Sequence, residues 1–164
     1  MTKTQQTTKL WELLDTVEDP EVPVISIVDL GIVKDIEIFE DSSVTVTITP
    51  TYSGCPAMEY IEKGIRACLE SNGYTLNPII TVLKPAWTTD WLTEKGREKL
   101  KAYGIAPPLN TPNKRALFSE PDQVQCPQCQ SKNTEMVSQF GSTACKALYK
   151  CKDCLEPFDY FKCI

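Results

Sequence analysis

Apolar residues near the N-terminus recur every three or four positions, after a polar and threonine-rich start. This spacing predicts a short amphipathic helix, carried by Leu10, Trp11, Leu14 and Val17. Thr7 and Thr8 are expected to cap its start, because threonine hydroxyls accept hydrogen bonds from the first backbone N–H groups of a helix. Pro20 and Pro23 then prevent the helix from continuing.

Two segments with alternating apolar and polar residues follow, residues 32–39 and 44–49. A period of two is typical of strands that bury one face, and the short connection 40–43 predicts an antiparallel hairpin. On the second strand the inward-facing residues are expected to be Val44, Val46 and Ile48, and those facing the other way Thr45, Thr47 and Thr49.

A second helix and a third strand complete the first module. The helix is predicted from apolar residues at helical spacing, with Pro56 in its first turn: Met58, Ile61, Ile65, Cys68 and Leu69. The apolar run 79–83 predicts a strand, so that strand, helix and strand form a right-handed crossover. A last helix is predicted over 93–103, capped by Thr93 and closed by Gly104. The predicted fold class is α+β: a small mixed sheet, made of a hairpin and a βαβ crossover, with flanking helices.

The composition excludes several classes of protein. No stretch approaches the ~20 consecutive apolar residues of a membrane span, and no signal or transit peptide is visible, so we expect a cytoplasmic protein without a membrane partner. The 164 residues include no histidine, which excludes chemistry that needs an imidazole base or ligand. Residues 1–104 hold 10 Lys+Arg against 16 Asp+Glu, and residues 122–164 hold five of each, so we expect no nucleic acid partner.

The eight cysteines are distributed unevenly along the chain. Cys55 and Cys68 stand alone, whereas the other six lie within the last 39 residues. In a chain without an export signal, cysteines are more often metal ligands or reactive thiols than disulfides. The intervening residues, 105–125, contain four prolines and no apolar periodicity. We therefore predict a first domain over 9–104, an extended linker over 105–125 and a second domain over 126–164.

Two C-x2-C elements, Cys126 to Cys129 and Cys151 to Cys154, are separated by 21 residues. This spacing is typical of tetrahedral zinc sites, and a module of about 40 residues needs such a staple to fold. Because four thiolates close the coordination shell, the predicted zinc is structural.

The segments around these cysteines predict a small β-rich zinc ribbon, with strands in 134–140, 147–149 and 157–162. Its balanced charge favours protein docking over nucleic acid binding. Cys145 and Cys163 are left over. They are free thiols, a replacement ligand or ligands of an iron–sulfur cluster. The irregular spacing of the six C-terminal cysteines fits a cluster less well than zinc on the four regular positions.

Cys55 lies at the predicted start of the second helix. Unpaired backbone N–H groups and the helix dipole favour an anion there, so we expect a lowered thiol pKa and affinity for soft metals. Gly54 allows close approach of a partner, and the Thr49 hydroxyl can hydrogen-bond whatever the sulfur holds. The alternative is that Cys55 is only a small buried residue. Cys68 shares the apolar stripe of the helix and is predicted to pack in the core.

Two further segments offer candidate site residues. Asp19 and Glu21 flank Pro20 in a rigid stretch that can present a carboxylate beside the thiol. Alternatively, they form a helix stop with solvated charges. Trp87 and Trp91 follow a predicted strand and either wall a pocket or cap the core.

Four segments together resemble the SufT-like domain of iron–sulfur cluster assembly factors, over residues 9–104. They are Asp19-Pro20-Glu21, 28–33, 49–56 with its Ser-Gly-Cys-Pro, and 85–90. The whole chain, including 140–146 and 154–158, is similar to the PaaD family of accessory proteins of the phenylacetyl-CoA epoxidase (oxygenase) system. Ala86 and Thr89 replace two prolines of the Pro-Pro-Trp-Thr-Pro-Asp pattern of general assembly factors, which implies a less rigid pocket wall and a different client.

The resemblance implies a non-enzymatic maturation factor that helps to deliver or insert iron–sulfur clusters into client proteins. Cys55 is then the functional thiol and transiently holds iron or a cluster, supported by Asp19, Glu21, Thr49, Gly54 and Trp87. The implied clients are epoxidase partners, above all the reductase subunit with its iron–sulfur centre, and the zinc ribbon is the docking module. Two rivals remain: a structural subunit of the oxygenase complex, and a thiol hydrolase, which the absence of histidine disfavours.

Overall fold

In the computed structural model, which describes residues 3–109 and 123–162, the N-terminal apolar repeat forms helix α1 (Lys3–Leu14). Leu10 and Leu14 are fully buried, as the spacing predicts. Thr7 and Thr8 lie inside the helix, so the predicted capping role is wrong. The Thr8 hydroxyl donates to the carbonyl of Thr4 one turn back (3.1 Å), a bond that lets threonine sit in a helix interior.

A two-stranded antiparallel sheet follows that the sequence pattern did not predict, formed by β1 (Glu18–Asp19) and β2 (Val22–Ser26). The Asp19 carboxylate accepts hydrogen bonds from the backbone N–H groups of Glu21 (2.8 Å) and Val22 (2.9 Å). This arrangement turns the chain back within three residues and satisfies backbone donors that would otherwise be unpaired.

The predicted hairpin is confirmed as β3 (Val33–Ile38) and β4 (Ser43–Ile48), with Ile36 opposite Val46. The three residues predicted to point inward are all fully buried: Val44, Val46 and Ile48. Thr45 and Thr49 are also buried, at 7% and 1% exposure. The second face of β4 is therefore covered as well.

Helix α2 (Ala57–Ser71) connects β4 to two short strands, β5 (Thr75–Leu76) and β6 (Ile80–Thr81). Both strands pair with β4 in parallel, which confirms the predicted crossover from one parallel strand to another. Only two residues of the predicted third strand are paired, and β5 was not predicted. The helix buries the stripe Ala57, Ile61, Ile65 and Leu69.

The turn at Leu30 and Gly31 anchors the segment that follows the sheet. The indole N–H of Trp87 donates to the carbonyl of Leu30 (2.8 Å). Gly31 has a positive φ of 68°, and a Cβ there would lie 2.6 Å from the carbonyl oxygen of Trp91, so the position requires glycine. A 3-10 turn (Thr89–Trp91) leads into helix α3 (Glu94–Tyr103). No helix in the described part of the chain has the length and apolar content to cross a membrane.

A buried carboxylate, Asp29, joins this turn to the start of α3. It accepts a hydrogen bond from the Thr93 hydroxyl (2.7 Å) and lies 3.8 Å from the Lys95 ammonium group. The Thr93 hydroxyl also accepts from the backbone N–H of Gly96 (3.0 Å), which confirms Thr93 as the helix cap. Lys95 also pairs with Asp15, and that contact raises its pKa. Burial of Asp29 is therefore compensated by both a donor and a cation.

The C-terminal strands form one sheet in the order β7, β10, β9, β8. Three of them confirm predicted ribbon strands: β8 (Thr134–Ser138), β9 (Lys146–Cys151) and β10 (Pro157–Phe161). The fourth, β7 (Ile105–Ala106), pairs in parallel with β10 although it lies in the predicted linker. Its two apolar side chains are buried, which explains why this short piece of the proline-rich segment joins the sheet.

The chain divides into two compact units, Met1–Gly96 and Arg97–Ile164. The predicted domains, 9–104 and 126–164, stay predictions. Most of the predicted linker, 110–122, lies outside the described residues. Together the elements form the predicted α+β class, with small sheets and helices.

We predict that Thr93→Val lowers the free energy of unfolding by about 1–3 kcal/mol, because it removes a helix cap and a donor to a buried carboxylate. Urea unfolding monitored by circular dichroism measures the change. Thr8→Val, at an exposed position inside α1, is the matched control and should change stability by less than about 0.5 kcal/mol. Equal effects of the two substitutions would contradict the role of the Asp29 contact.

Candidate functional site

Cys55 lies in the connection between β4 and α2, immediately before Pro56, which occupies the N-cap position without a side-chain hydrogen bond to the helix. Its backbone N–H donates to the carbonyl of Tyr52 (3.3 Å), and its own carbonyl accepts from the N–H of Met58 (3.3 Å). The side chain is half-buried. Gly54 has a positive φ of 83°, and a Cβ there would meet nothing within 4 Å, so the turn, not close approach within the fold, requires glycine.

The expected lowering of the Cys55 pKa is wrong. Burial raises the pKa of this thiol above its ordinary value, and the negative charges of Glu21 and Asp19 raise it further. Hydrogen bonds from the backbone N–H of Ala57 and from Tyr52 act in the opposite direction but do not prevail. The thiol is therefore mostly protonated at neutral pH.

The structure brings the carboxylates of Glu21 and Asp19 close enough to Cys55 for their charges to affect its titration. This placement favours the first of the two interpretations that the sequence left open. The Asp19 carboxylate is tied to the turn after β1, so its position is fixed by backbone hydrogen bonds. The two carboxylates therefore add to the effect of burial, which is the larger reason that the thiolate is disfavoured here.

The hydroxyl of Thr49 stands out at the end of β4. Thr49 is 1% exposed, and its Oγ1 is the one buried side-chain nitrogen or oxygen in the described residues without a hydrogen-bond partner. Buried hydroxyl groups are normally satisfied. Thr49 therefore ends β4 with a buried hydroxyl whose hydrogen-bonding capacity the described fold leaves unused.

Trp87 and Trp91 occupy different environments. Trp87 is buried and holds the Leu30 carbonyl, which favours the core role over the pocket wall. The ammonium group of Lys34 lies 3.2 Å from the centre of the Trp91 ring, a cation–π contact. Burial lowers the pKa of Lys34.

The four regularly spaced cysteines converge in the second unit. The Sγ atoms of Cys126, Cys129, Cys151 and Cys154 all lie within 4.8 Å of one another. The Cys126 to Cys154 distance is 3.8 Å and the Cys129 to Cys151 distance is 3.5 Å. Zn–S bonds of ~2.3 Å in tetrahedral geometry place sulfur atoms about 3.8 Å apart. The donor set therefore fits a tetrahedral metal ion.

Asp153, which sequence reasoning missed, joins the second C-x2-C element to the residues that follow the first. Its carboxylate accepts from the Ser131 hydroxyl (2.5 Å) and the Asn133 amide (2.7 Å), and these bonds lower its pKa. A hydrogen bond from the backbone N–H of Cys154 lowers the pKa of the Cys151 thiol to about 7, whereas burial and the hydrogen bonds with the other three thiols raise the pKa of Cys154 to about 12. The signal in the sequence was the acidic residue inside the second C-x2-C element.

The remaining cysteines lie apart from this group. The Cys68 thiol donates to the carbonyl of Leu13 (3.3 Å), which joins α2 to α1. Cys145 is buried, with its Sγ 3.1 Å from the Thr143 hydroxyl, and is not part of the four-sulfur group. Cys163 lies outside the described residues.

We predict that Cys55 titrates above the ordinary thiol value of ~8.5, and that Glu21→Gln lowers this pKa because it removes a negative charge near the sulfur. The folded protein is alkylated at a series of pH values and then digested. The modified fraction of the peptide that contains Cys55, measured by mass spectrometry, gives the pKa. Glu18→Gln, an exposed neighbour in β1, is the matched control and should leave the pKa unchanged. A wild-type pKa below ~8.5 would show that the helix N-terminus prevails after all.

Two family models match the chain. The "Iron-sulfur cluster assembly protein" family matches residues 7–72, and the "PaaD zinc beta ribbon domain" matches residues 110–162. The crystal structure of a DUF59 domain from Bacillus anthracis has a TM-score of 0.55 and 27% identity, and the match covers 59% of this chain and 92% of that one.

Curated relatives cover both modules or the first alone. A putative subunit of the 1,2-phenylacetyl-CoA epoxidase from Escherichia coli (strain K12) is 48% identical over 97% of this chain and 94% of its own length. An "Fe-S protein maturation auxiliary factor" of Porphyromonas gingivalis (strain ATCC BAA-308 / W83) is 36% identical over 54% of this chain and 84% of its own length. The chain therefore belongs to the PaaD family, in which an iron–sulfur cluster assembly domain precedes a zinc ribbon.

Proposed function

We propose that this protein is a non-enzymatic maturation factor that assists iron–sulfur cluster assembly in the multicomponent phenylacetyl-CoA epoxidase of aerobic phenylacetate degradation. Its client is the reductase subunit with the iron–sulfur centre, and its functional thiol is Cys55. The names of the relatives support an accessory role in such a system. The observation that carries the proposal is the partly exposed thiol just before α2, near enough to Glu21 and Asp19 for their charges to affect its titration.

The chemistry of this position suits transient binding of iron. A protonated thiol oxidises slowly, since the thiolate is the reactive form. A metal cation that approaches the sulfur displaces the proton, and the nearby carboxylates favour the cation. The Thr49 hydroxyl, which has no partner within the described fold, is the proposed hydrogen-bond donor to a sulfide or a ligand of the incoming iron.

The number of available ligands also favours a transient role. Among the described residues, the four-cysteine group is the one place where three or more cysteine or carboxylate side chains converge as metal ligands. Cys68 lies 11 residues along α2 from Ala57, about 16 Å at the rise of an α-helix, and Cys55 precedes Ala57. Iron or a cluster bound by Cys55 therefore completes its coordination with ligands of another molecule, as transfer to a client requires.

The metal of the four-cysteine group is zinc, and its role is structural. The four sulfurs can hold it in a closed tetrahedral shell, which leaves no position for an activated water. Zinc there supplies folding energy to the ribbon. We propose that the ribbon recruits the client while Cys55 handles iron.

Two rival functions make different demands on Cys55. A thiol hydrolase needs a thiolate and a base, whereas the Cys55 pKa is raised and the chain has no histidine. A purely structural component of the oxygenase complex does not need the thiol at all. Substitution of Cys55 therefore separates these possibilities.

We predict that Cys55→Ser reduces the iron and sulfide content of the co-expressed reductase subunit to the level found without this protein. Cys68→Ser is the matched control, because serine can keep the hydrogen bond to Leu13, and should leave that content unchanged. Full cluster content with Cys55→Ser would contradict the proposal and favour the purely structural role. Turnover of an acyl-CoA thioester by the purified chain alone would favour the hydrolase.

We also predict about one zinc ion per purified chain, since one four-thiolate site binds one ion. Elemental analysis should show its loss in Cys126→Ser and its retention in Cys145→Ser, because Cys145 lies outside the four-sulfur group. A chelator should unfold the ribbon and leave unchanged the far-UV circular dichroism signal of α1 and α2. Iron at the same stoichiometry would overturn the zinc assignment.

A further inference from the structure

We propose that the edge of the sheet at which β4 and β6 end, around Cys55, docks a protein surface in which basic side chains surround an apolar group. We name this surface the Cys55 edge and define it as residues 49–62 and 80–84. The inference rests on the proposed function, since it specifies the client surface that meets Cys55. It adds a second contact to the recruitment assigned to the ribbon.

Strand pairing places the two segments of the Cys55 edge side by side. β4 and β6 run parallel with Ile48 beside Thr81, and the N–H of Val82 donates to the carbonyl of Ile48 (2.8 Å). The segments that follow β4 and β6 therefore leave the sheet at the same edge. The Glu62 carboxylate accepts from the Thr81 hydroxyl (3.4 Å), which ties α2 to this edge.

Exposed apolar side chains concentrate at the Cys55 edge. In the described part of Met1–Gly96, four large hydrophobic side chains are exposed, and three belong to this edge: Tyr60 (67%), Ile80 (48%) and Leu83 (58%). The fourth, Phe39, lies at the far end of the hairpin. Single exposed apolar residues are ordinary, but three within the two segments of one edge are typical of an interaction site.

The charge of the first unit determines the kind of partner. Residues 1–96 hold 7 Lys+Arg and 15 Asp+Glu. The Cys55 edge itself holds Glu59, Glu62 and Lys84, and the Glu59 carboxylate is paired with Lys63 (2.6 Å), which lies just outside the edge. The excess of negative charge is therefore a property of the unit as a whole, to which Asp19 and Glu21 contribute. Complementary potentials favour a basic protein surface, whereas a second copy of this acidic unit or a nucleic acid is repelled.

The test measures binding of the full-length, zinc-loaded chain to the iron–sulfur reductase subunit by calorimetry. Leu83→Ser should weaken binding about tenfold. Glu59→Gln combined with Glu62→Gln should weaken it about three- to tenfold at about 50 mM salt, and less at about 300 mM salt because salt screens the charges. Phe39→Ser, and Glu37→Gln combined with Glu40→Gln, are matched controls on the hairpin and should stay within about twofold of wild type.

Three results would overturn the docking surface: equal weakening by the control variants, absence of binding by the wild-type chain, or a wild-type dimer that Leu83→Ser disperses. The last result would assign the edge to a second copy. Cys55→Ser distinguishes this inference from the proposed function, since it should bind normally but fail to deliver clusters. If Cys55→Ser delivers clusters, the proposed function fails; if only the edge variants bind normally, the docking surface alone fails.

Discussion

Parallel pairing of β4 with β5 and β6 is the constraint on which the position of Cys55 depends. Neighbouring parallel strands cannot be joined by a tight turn, so the chain must cross over after β4, and α2 makes that crossover. The start of α2 therefore falls at the edge where β4 ends. In sheets with crossovers, this is the edge where ligands commonly bind. The thiol is placed by strand pairing, not by its immediate neighbours in the sequence.

The electrostatics of this edge come from residues that are distant in the chain. A helix N-terminus can be identified from the sequence, and its dipole alone favours a thiolate. Burial of Cys55 and the charges of Glu21 and Asp19 depend on how β1 lies against α2, and they act in the opposite direction. The result is a thiol whose protonated form is favoured, chiefly by burial and further by two carboxylates.

The sequence predicted the features that depend on regular spacing. The hairpin, α2, the ribbon strands and the four converging cysteines all follow from periods of 2 and 3.6 or from paired C-x2-C elements. Two-residue strands such as β1 and β5 are too short to show a period, and β7 lies among prolines. The burial of Thr49 depends on what covers the second face of β4, which no local pattern reveals.

The chain uses the same atom, sulfur, in two opposite ways. In the ribbon, four thiolates can fill the coordination shell of one metal ion. Contacts such as the hydrogen bond between Asp153 and Ser131 keep the C-x2-C elements in place. Release of the metal ion therefore requires the ribbon to open. Cys55 offers a single sulfur on a unit whose core is held by buried apolar residues such as Leu10 and Ile65. Because apolar burial holds that unit together, the proposed exchange of iron at Cys55 would not remove a group on which its folding depends. A factor that hands metal onward needs this separation between the site that carries and the site that folds.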